Sequence, residues 1–235
     1  MATELAVKPS CPVCKGAGIV HPRRLDGSPD YSKTMACPYP GCMGESARDF
    51  QKTEDATRRW QESGVIQRQT FENFKLIRGT EVALKYAKEL AFGTANFGWL
   101  GICGGVGNGK THLCNAIARV SLERGMEVIM LSSANMFSKI KSAMNDNTDQ
   151  ELIKRLKEVM VLVIDDLGAE YDSPWQLSIL DEILDTRYHT ARLTVVVSNL
   201  DLQNLPESMK RIESRFADKN ISRVAFNSAG DYRKR

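Results

Sequence analysis

The order of apolar and polar positions divides the chain into three parts. Between residues 71 and 235, short runs of consecutive apolar residues alternate with stretches whose apolar residues recur at helical spacing. The runs Trp99 to Cys103, Met160 to Ile164, "LTVVVSNLD" (193–201) and "ISRVAFN" (221–227) each predict a strand, and one as apolar as Met160 to Ile164 is buried on both faces. After the first run, Leu113, Ile117 and Val120 mark one face of an amphipathic helix. Strands alternating with helices predict an α/β fold, a doubly wound parallel sheet over 71–235. Ahead of it, residues 46–70 are expected to form a linker helix, or a partner-binding helix, and a leading segment. Phe50, Thr53, Thr57 and Trp60 share a helical face there, and Gly64 is a stop. Residues 1–45 show neither period and form a small separate module.

Composition changes this picture little. Of 235 residues, 42% are hydrophobic and 26% charged, ordinary proportions for a soluble globular protein. No apolar run approaches the roughly 20 residues of a membrane span. The start, "MATELAVKPS", lacks the layout of a secretory signal, so the expected location is cytoplasmic with no membrane partner. A net charge of +3 does not by itself indicate nucleic-acid binding, which would need local basic clusters.

The cysteines alter the reading of the first module. Four of the six lie at Cys11, Cys14, Cys37 and Cys42, a C-x2-C pair and a C-x4-C pair joined by a long loop. In a reducing compartment such thiols bind metal rather than pair as disulfides. Two knuckles brought together give a tetrahedral four-sulfur site suited to Zn2+. His21 is an alternative ligand. A segment this short cannot build its own hydrophobic core, so zinc would supply much of its folding energy. A closed four-cysteine site is structural, and the module is expected to be zinc-ribbon-like.

The strongest chemical signal follows the first strand. Gly104-Gly105-Val106-Gly107-Asn108-Gly109-Lys110-Thr111 fits G-x-x-x-x-G-K-[ST] in strand–loop–helix context, with His112 next in the helix. Glycines let backbone N–H groups turn towards phosphate oxygens, and the helix N-terminus adds positive potential. Lys110 would reach the β- and γ-phosphates of ATP, and Thr111 would ligate Mg2+. The acidic strand ends in Asp165-Asp166, at the end of a parallel sheet where ligands sit. Asp165 is placed to hold Mg2+, and Asp166 to orient or deprotonate the attacking water. Asn199, ending the 193–201 strand, could bond the γ-phosphate or its water. Arg211 and Arg215 are four residues apart and share a helix face. An arginine given to a neighbouring subunit's phosphate stabilises transferred charge; the alternative for each is a salt-bridged surface arginine. Arg233, in the tail "GDYRKR", is a further phosphate contact or a basic end.

In this order "GGVGNGKTHL", "VLVIDDLG", "VVSNLD", "RIESRF" and "GDYRKR", with the leader "SGVIQRQTFENF" (63–74), resemble the AAA+ ATPases of the DnaC/DnaI helicase-loader group, close to the initiator DnaA. The resemblance covers residues 63–235. It implies that Lys110 and Thr111 are Walker A, Asp165 and Asp166 Walker B, Asn199 sensor 1, Arg215 the arginine finger and Arg233 the sensor 2 arginine. It implies ATP-dependent self-assembly and slow ATP hydrolysis. It also implies the hexameric replicative DNA helicase as partner, placed on single-stranded DNA. Only 36 residues follow Asn199, too few for a helical lid. By the same resemblance, segment 134–159 would touch single-stranded DNA through Lys139, Lys141 and nearby Phe137; a solvated helix of alternating charge is the alternative there. A transposition helper of the IstB type and a non-hydrolysing nucleotide-dependent adaptor are the alternatives.

Overall fold

The computed structural model describes residues 19–20, 35–36, 58–66, 68–168 and 173–232. The chain divides into two compact units, Met1–Arg58 and Arg59–Arg235. In the first, β1 (Ile19–Val20) and β2 (Met35–Ala36) form an antiparallel ladder, with Ile19 opposite Ala36. Cys11, Cys14, Cys37 and Cys42, as well as Arg233 in the second unit, lie outside the described residues.

The second unit is a five-stranded sheet flanked by helices. Its strands are β3 (Trp99–Gly104), β4 (Val128–Ser132), β5 (Val161–Leu167), β6 (Leu193–Ser198) and β7 (Ser222–Asn227), in the order β4-β5-β6-β3-β7. Every pairing is parallel. Numbered from its own first strand, the order is 5-1-4-3-2, and the chain reverses direction across the sheet between the strands that carry the P-loop and the acidic pair. Alternate residues of each strand enter two cores. Leu100, Ile102, Val161, Val163, Val195 and Val197 pack against α2 (Glu81–Phe92) and α3 (Lys110–Glu123). Trp99, Cys103, Leu162, Ile164 and Val196 face α4 (Ser133–Asn145), α5 (Asp149–Glu158), α6 (Pro174–His189) and α7 (Lys210–Ala217). This is the doubly wound arrangement expected, and it explains why the strands read as continuous apolar runs.

The ends of the helices follow local chemistry. Residues 58–63 are helical (α1) and stop at Gly64, whose φ is +76°. A Cβ there would lie 2.3 Å from the carbonyl oxygen of Met130 on edge strand β4, so the leading segment passes against that edge. Gly93 caps α2 in the left-handed region, and Pro174 opens α6. No helix among the described residues is long and apolar enough to cross a membrane.

Two expectations are corrected. The acidic strand does not start at Met160. Met160 is exposed, and β5 runs from Val161 through both aspartates to Leu167, with a register shift between Ile164 and Leu167. Segment 134–159 does not offer an aromatic to a nucleic-acid strand. Met136, Phe137 and Ile140 are buried in the core beneath α4, and Phe137 packs on Trp175 at 6.1 Å. Lys139 and Lys141 are exposed without that aromatic partner. The three apolar residues have the spacing of a buried helical face, and burial takes Phe137 for packing.

Candidate nucleotide site

The site lies at the carboxyl ends of β3, β5 and β6, where the strand order reverses. The P-loop leaves β3 at Gly104 (φ +129°), whose Cβ position is 2.2 Å from the carbonyl oxygen of Asn227, so no larger residue fits without displacing β7. Asn108 locks the loop to the same strand end. Its Nδ2 donates to Asn227 O at 2.9 Å, and Asn227 Nδ2 donates back to Asn108 O at 3.3 Å. The loop closes at Gly109, the N-cap of α3. The first backbone N–H groups of α3 have no partner earlier in the helix and favour an anion.

Lys110 is buried and held from several sides. Its Nζ donates to Gly104 O (2.7 Å), Gly105 O (2.6 Å), Asn199 Oδ1 (3.0 Å) and Asn108 Oδ1 (3.3 Å). An ammonium has three hydrogens, so these four acceptors share them. Burial lowers the Lys110 pKa, and the charges of Asp165 and Asp166 oppose that shift. Asn199 joins this lysine to the acidic strand, because its Nδ2 donates to Asp166 Oδ1 at 3.0 Å. Lys110, Asn199 and Asp166 therefore form one hydrogen-bonded line across three strand ends.

Asp165 and Asp166 differ. Asp165 is half-buried, and burial raises its pKa, opposed first by a hydrogen bond with the Thr111 hydroxyl. Thr111 and Asp165 thus present neighbouring oxygens, the donor set that suits Mg2+. Asp166 is exposed and adopts φ +55°, a left-handed conformation that, glycine aside, asparagine, aspartate and histidine adopt most readily. Its backbone N–H donates to Asp165 Oδ1 at 3.0 Å, and its carbonyl accepts from Ser133 Oγ at 2.7 Å. These bonds hold the turned backbone that aims Asp166 at Asn199.

Next to the loop is a pocket of about 460 Å3, lined by Gly107 to His112 together with residues of the leading segment, among them Gln69, Phe74 and Ile77, and by Tyr232. His112 fixes the leading segment to α3. Its Nε2 lies 2.8 Å from Thr70 O, which can only accept, so this nitrogen carries the proton. Its ring meets Phe74 edge-on at 5.3 Å. One turn on, the buried Asn115 accepts from Ile66 N (2.7 Å) and donates to Thr111 O (2.9 Å). Val106 stands exposed at the tip of the loop. After β7 the chain folds back, and Tyr232 N donates to Gly107 O at 2.9 Å. Sequence reasoning missed Asn115, Asn227, Phe74 and Tyr232, which the fold brings to the loop. The sole signal for them was an amide one helical turn beyond Thr111 and another ending the last apolar run.

The structure separates the two arginines. Arg215 is buried between two carboxylates of α6, donating to Asp181 Oδ1 (2.5 Å) and Asp185 Oδ1 (2.6 Å). Arg211 keeps 83% of its side chain exposed against 10% for Arg215, with one bond to Asp181 Oδ2 at 3.1 Å. Neither lines the pocket of its own chain.

The profile of the bacterial DnaA ATPase domain matches residues 65–221, about two-thirds of the chain. The replicative helicase loader DnaC of Buchnera aphidicola subsp. Baizongia pistaciae is 33% identical over 133 residues, 55% of this chain and 54% of that protein. DnaC of Escherichia coli K12 is 28% identical over 166 residues, 67% of this chain and 66% of its own length. The match thus spans little more than half of the first relative. Domain III of the Thermotoga maritima replication initiation protein DnaA superposes with a TM-score of 0.63 at 26% identity, over 72% of this chain and 70% of that one. The matched residues hold four of the five strands of the α/β AAA+ sheet, the P-loop, both aspartates and Asn199, and the chain belongs to the bacterial DnaA ATPase domain family.

Proposed function

We propose that the chain is an ATP-dependent loader of the hexameric replicative DNA helicase onto single-stranded DNA, assembling with its own copies when ATP binds. The observation that carries the nucleotide part is the line Lys110–Asn199–Asp166 beside the P-loop. Lys110 and the loop N–H groups would bind the phosphates. Bound Mg2+, held by Thr111 and Asp165, would supply charge neutralisation at the phosphates. Asn199 keeps Asp166 oriented so that the carboxylate can take a proton from water. The helicase part draws on the names of the relatives and on the first unit. There, Ile19 pairs with Ala36, so the directions leading to Cys14 and to Cys37 leave the ladder at the same end. That register favours Cys11, Cys14, Cys37 and Cys42 as a Zn2+ site, in a unit that holds the helicase.

Asn199→Ala is expected to reduce ATP turnover by up to about 100-fold, the cost of misplacing a reacting group, while nucleotide affinity stays within a few-fold. Phosphate release and equilibrium binding measure the two. Equal losses in both would make Asn199 a binding residue instead. The loader reading is tested by capture of a purified hexameric replicative helicase on the full chain, with and without ATP. A Cys11→Ser, Cys14→Ser chain should lose capture and keep nucleotide binding. No capture by the unaltered chain with ATP would defeat the loader reading.

A further inference from the structure

The stretch after β7 is tied down at two points. Ser228 N donates to Gly79 O in the leading segment at 3.2 Å, and Tyr232 N donates to Gly107 O in the P-loop at 2.9 Å. Between these ties Ala229 is buried. At the second tie, Lys75 Nζ sits 5.4 Å over the Tyr232 ring. Residues 228–232 therefore form a strap from the leading segment to the P-loop. The strap lays Asp231, half-buried, on the loop itself. A Cβ built on Gly107 would lie 1.8 Å from Asp231 Oδ1 and 2.4 Å from its Cγ. The carboxylate thus fills the space that a side chain at position 107 would take. In effect the loop carries an acid at its middle, supplied from beyond the last strand.

An acid there runs against the rest of the loop. Its N–H groups suit phosphate oxygens, and the start of α3 adds positive potential. The charges of Asp165 and Asp166 are matched to Lys110, whose pKa they hold up against burial. Asp231 comes instead to Gly107, ahead of the lysine, where its carboxylate and a bound phosphate are neighbours on one short turn. We propose that Asp231 hastens the release of bound nucleotide: the strap holds its carboxylate at Gly107, close enough to phosphates in the loop to repel them. This rests on the reading that nucleotide binds at the P-loop. Like charges a few ångströms apart repel appreciably near a protein surface, and salt screens that repulsion. The ties at Gly79 and Gly107 run through backbone groups. Changing the Asp231 side chain therefore removes the charge and leaves the strap in place.

The test is stopped-flow release of a fluorescent adenosine diphosphate from the full chain, chased with excess unlabelled nucleotide. Asp231→Asn, equal in shape but uncharged, is expected to slow release about tenfold at low salt. Asp231→Ala removes the carboxylate without adding a donor and should slow release to a similar extent. In both variants the gap from the unaltered chain should shrink to within about threefold at about 1 M salt, where the screening length is about 3 Å. Should one variant unfold in a thermal melt, the other carries the test. Release that is unchanged or faster in the folded variants would overturn the assignment. So would slowing confined to Asp231→Asn, which would trace to its amide donating to phosphate, and so would slowing that salt does not diminish. Absence of any nucleotide binding by the unaltered chain would instead remove the P-loop reading on which the proposal rests.

Discussion

Arg187→Met is expected to lower the free energy of unfolding by about 3–5 kcal/mol, a large share of the 5–15 kcal/mol that holds a typical domain together. Arg187 is wholly buried on α6 and faces no carboxylate. Its Nη1 donates to Leu156 O (3.0 Å), Val159 O (2.8 Å) and Lys157 O (3.3 Å) at the C-terminal end of α5. Its Nε donates to Thr194 Oγ1 (3.0 Å), and its Nη2 to Leu193 O (2.5 Å), at the start of β6. Burial pushes its pKa down to about 9, with Arg192 adding to the shift, so it remains a cation at neutral pH. The last carbonyls of a helix have no partner inside it, and here one guanidinium supplies the donors. Methionine keeps the length and the apolar stem but leaves several buried carbonyls unpaired. Arg187→Lys has three donors in a different geometry and should recover part of the loss. Urea unfolding measures the effect as a shifted midpoint at constant slope. A loss below about 1 kcal/mol would mean that water takes over the carbonyls.

Nothing in "LDTRYHT" distinguishes this arginine from a surface one, and the reason is physical. Arg187 is needed where α5, α6 and β6 meet, and no local pattern records a three-element junction. The P-loop was legible because a glycine-rich turn with Gly109-Lys110-Thr111 between an apolar strand and an amphipathic helix serves few purposes other than phosphate binding. The strands were legible because burial on both faces leaves only apolar choices. The acidic strand was legible through both aspartates, but its apolar run was begun one residue early, at the exposed Met160. Its two aspartates belong to β5, and the left-handed turn at Asp166 depends on a bond donated by Ser133 Oγ and one accepted by Asp165 Oδ1, which spacing does not encode. Phe137 illustrates the opposite error. An aromatic beside lysines matches a nucleic-acid surface by composition, yet its spacing with Met136 and Ile140 marks a core face. The pair Arg211 and Arg215 was read as one face, and the complementary pair Asp181 and Asp185 on α6, also four apart, was the overlooked signal.

That pair sets the last expectation: Arg215→Ala should destabilise the chain by about 2–4 kcal/mol, and Arg211→Ala by no more than about 0.5 kcal/mol. Removing Arg215 leaves Asp181 and Asp185 without their closest cation in a partly shielded crevice. The figure lies below the 3–5 kcal/mol of a fully buried pair because Asp185 is half exposed. Burial alone would raise the Asp181 carboxyl, but bonds from Arg215 and then Arg211 outweigh it and hold its pKa below the ordinary aspartate value. A depressed carboxylate adds stability above its unfolded pKa of about 4 and loses it as pH falls through the lower folded value. The melting gap between the unaltered chain and Arg215→Ala should therefore narrow on acidification below about pH 4 and stay constant from pH 5 to 8. The same variants locate the arginine that serves a neighbouring subunit. Arg215 can reach another copy only by leaving two carboxylates, whereas Arg211 is already exposed at the end of α7 nearer the solvent. If Arg211 acts between copies, Arg211→Ala should lose the rise of ATP turnover per chain with protein concentration while melting normally. If that rise survives in Arg211→Ala and vanishes in a folded Arg215→Lys, ATP-driven assembly must break the Asp181–Arg215–Asp185 contact, and the cost of breaking it would oppose assembly.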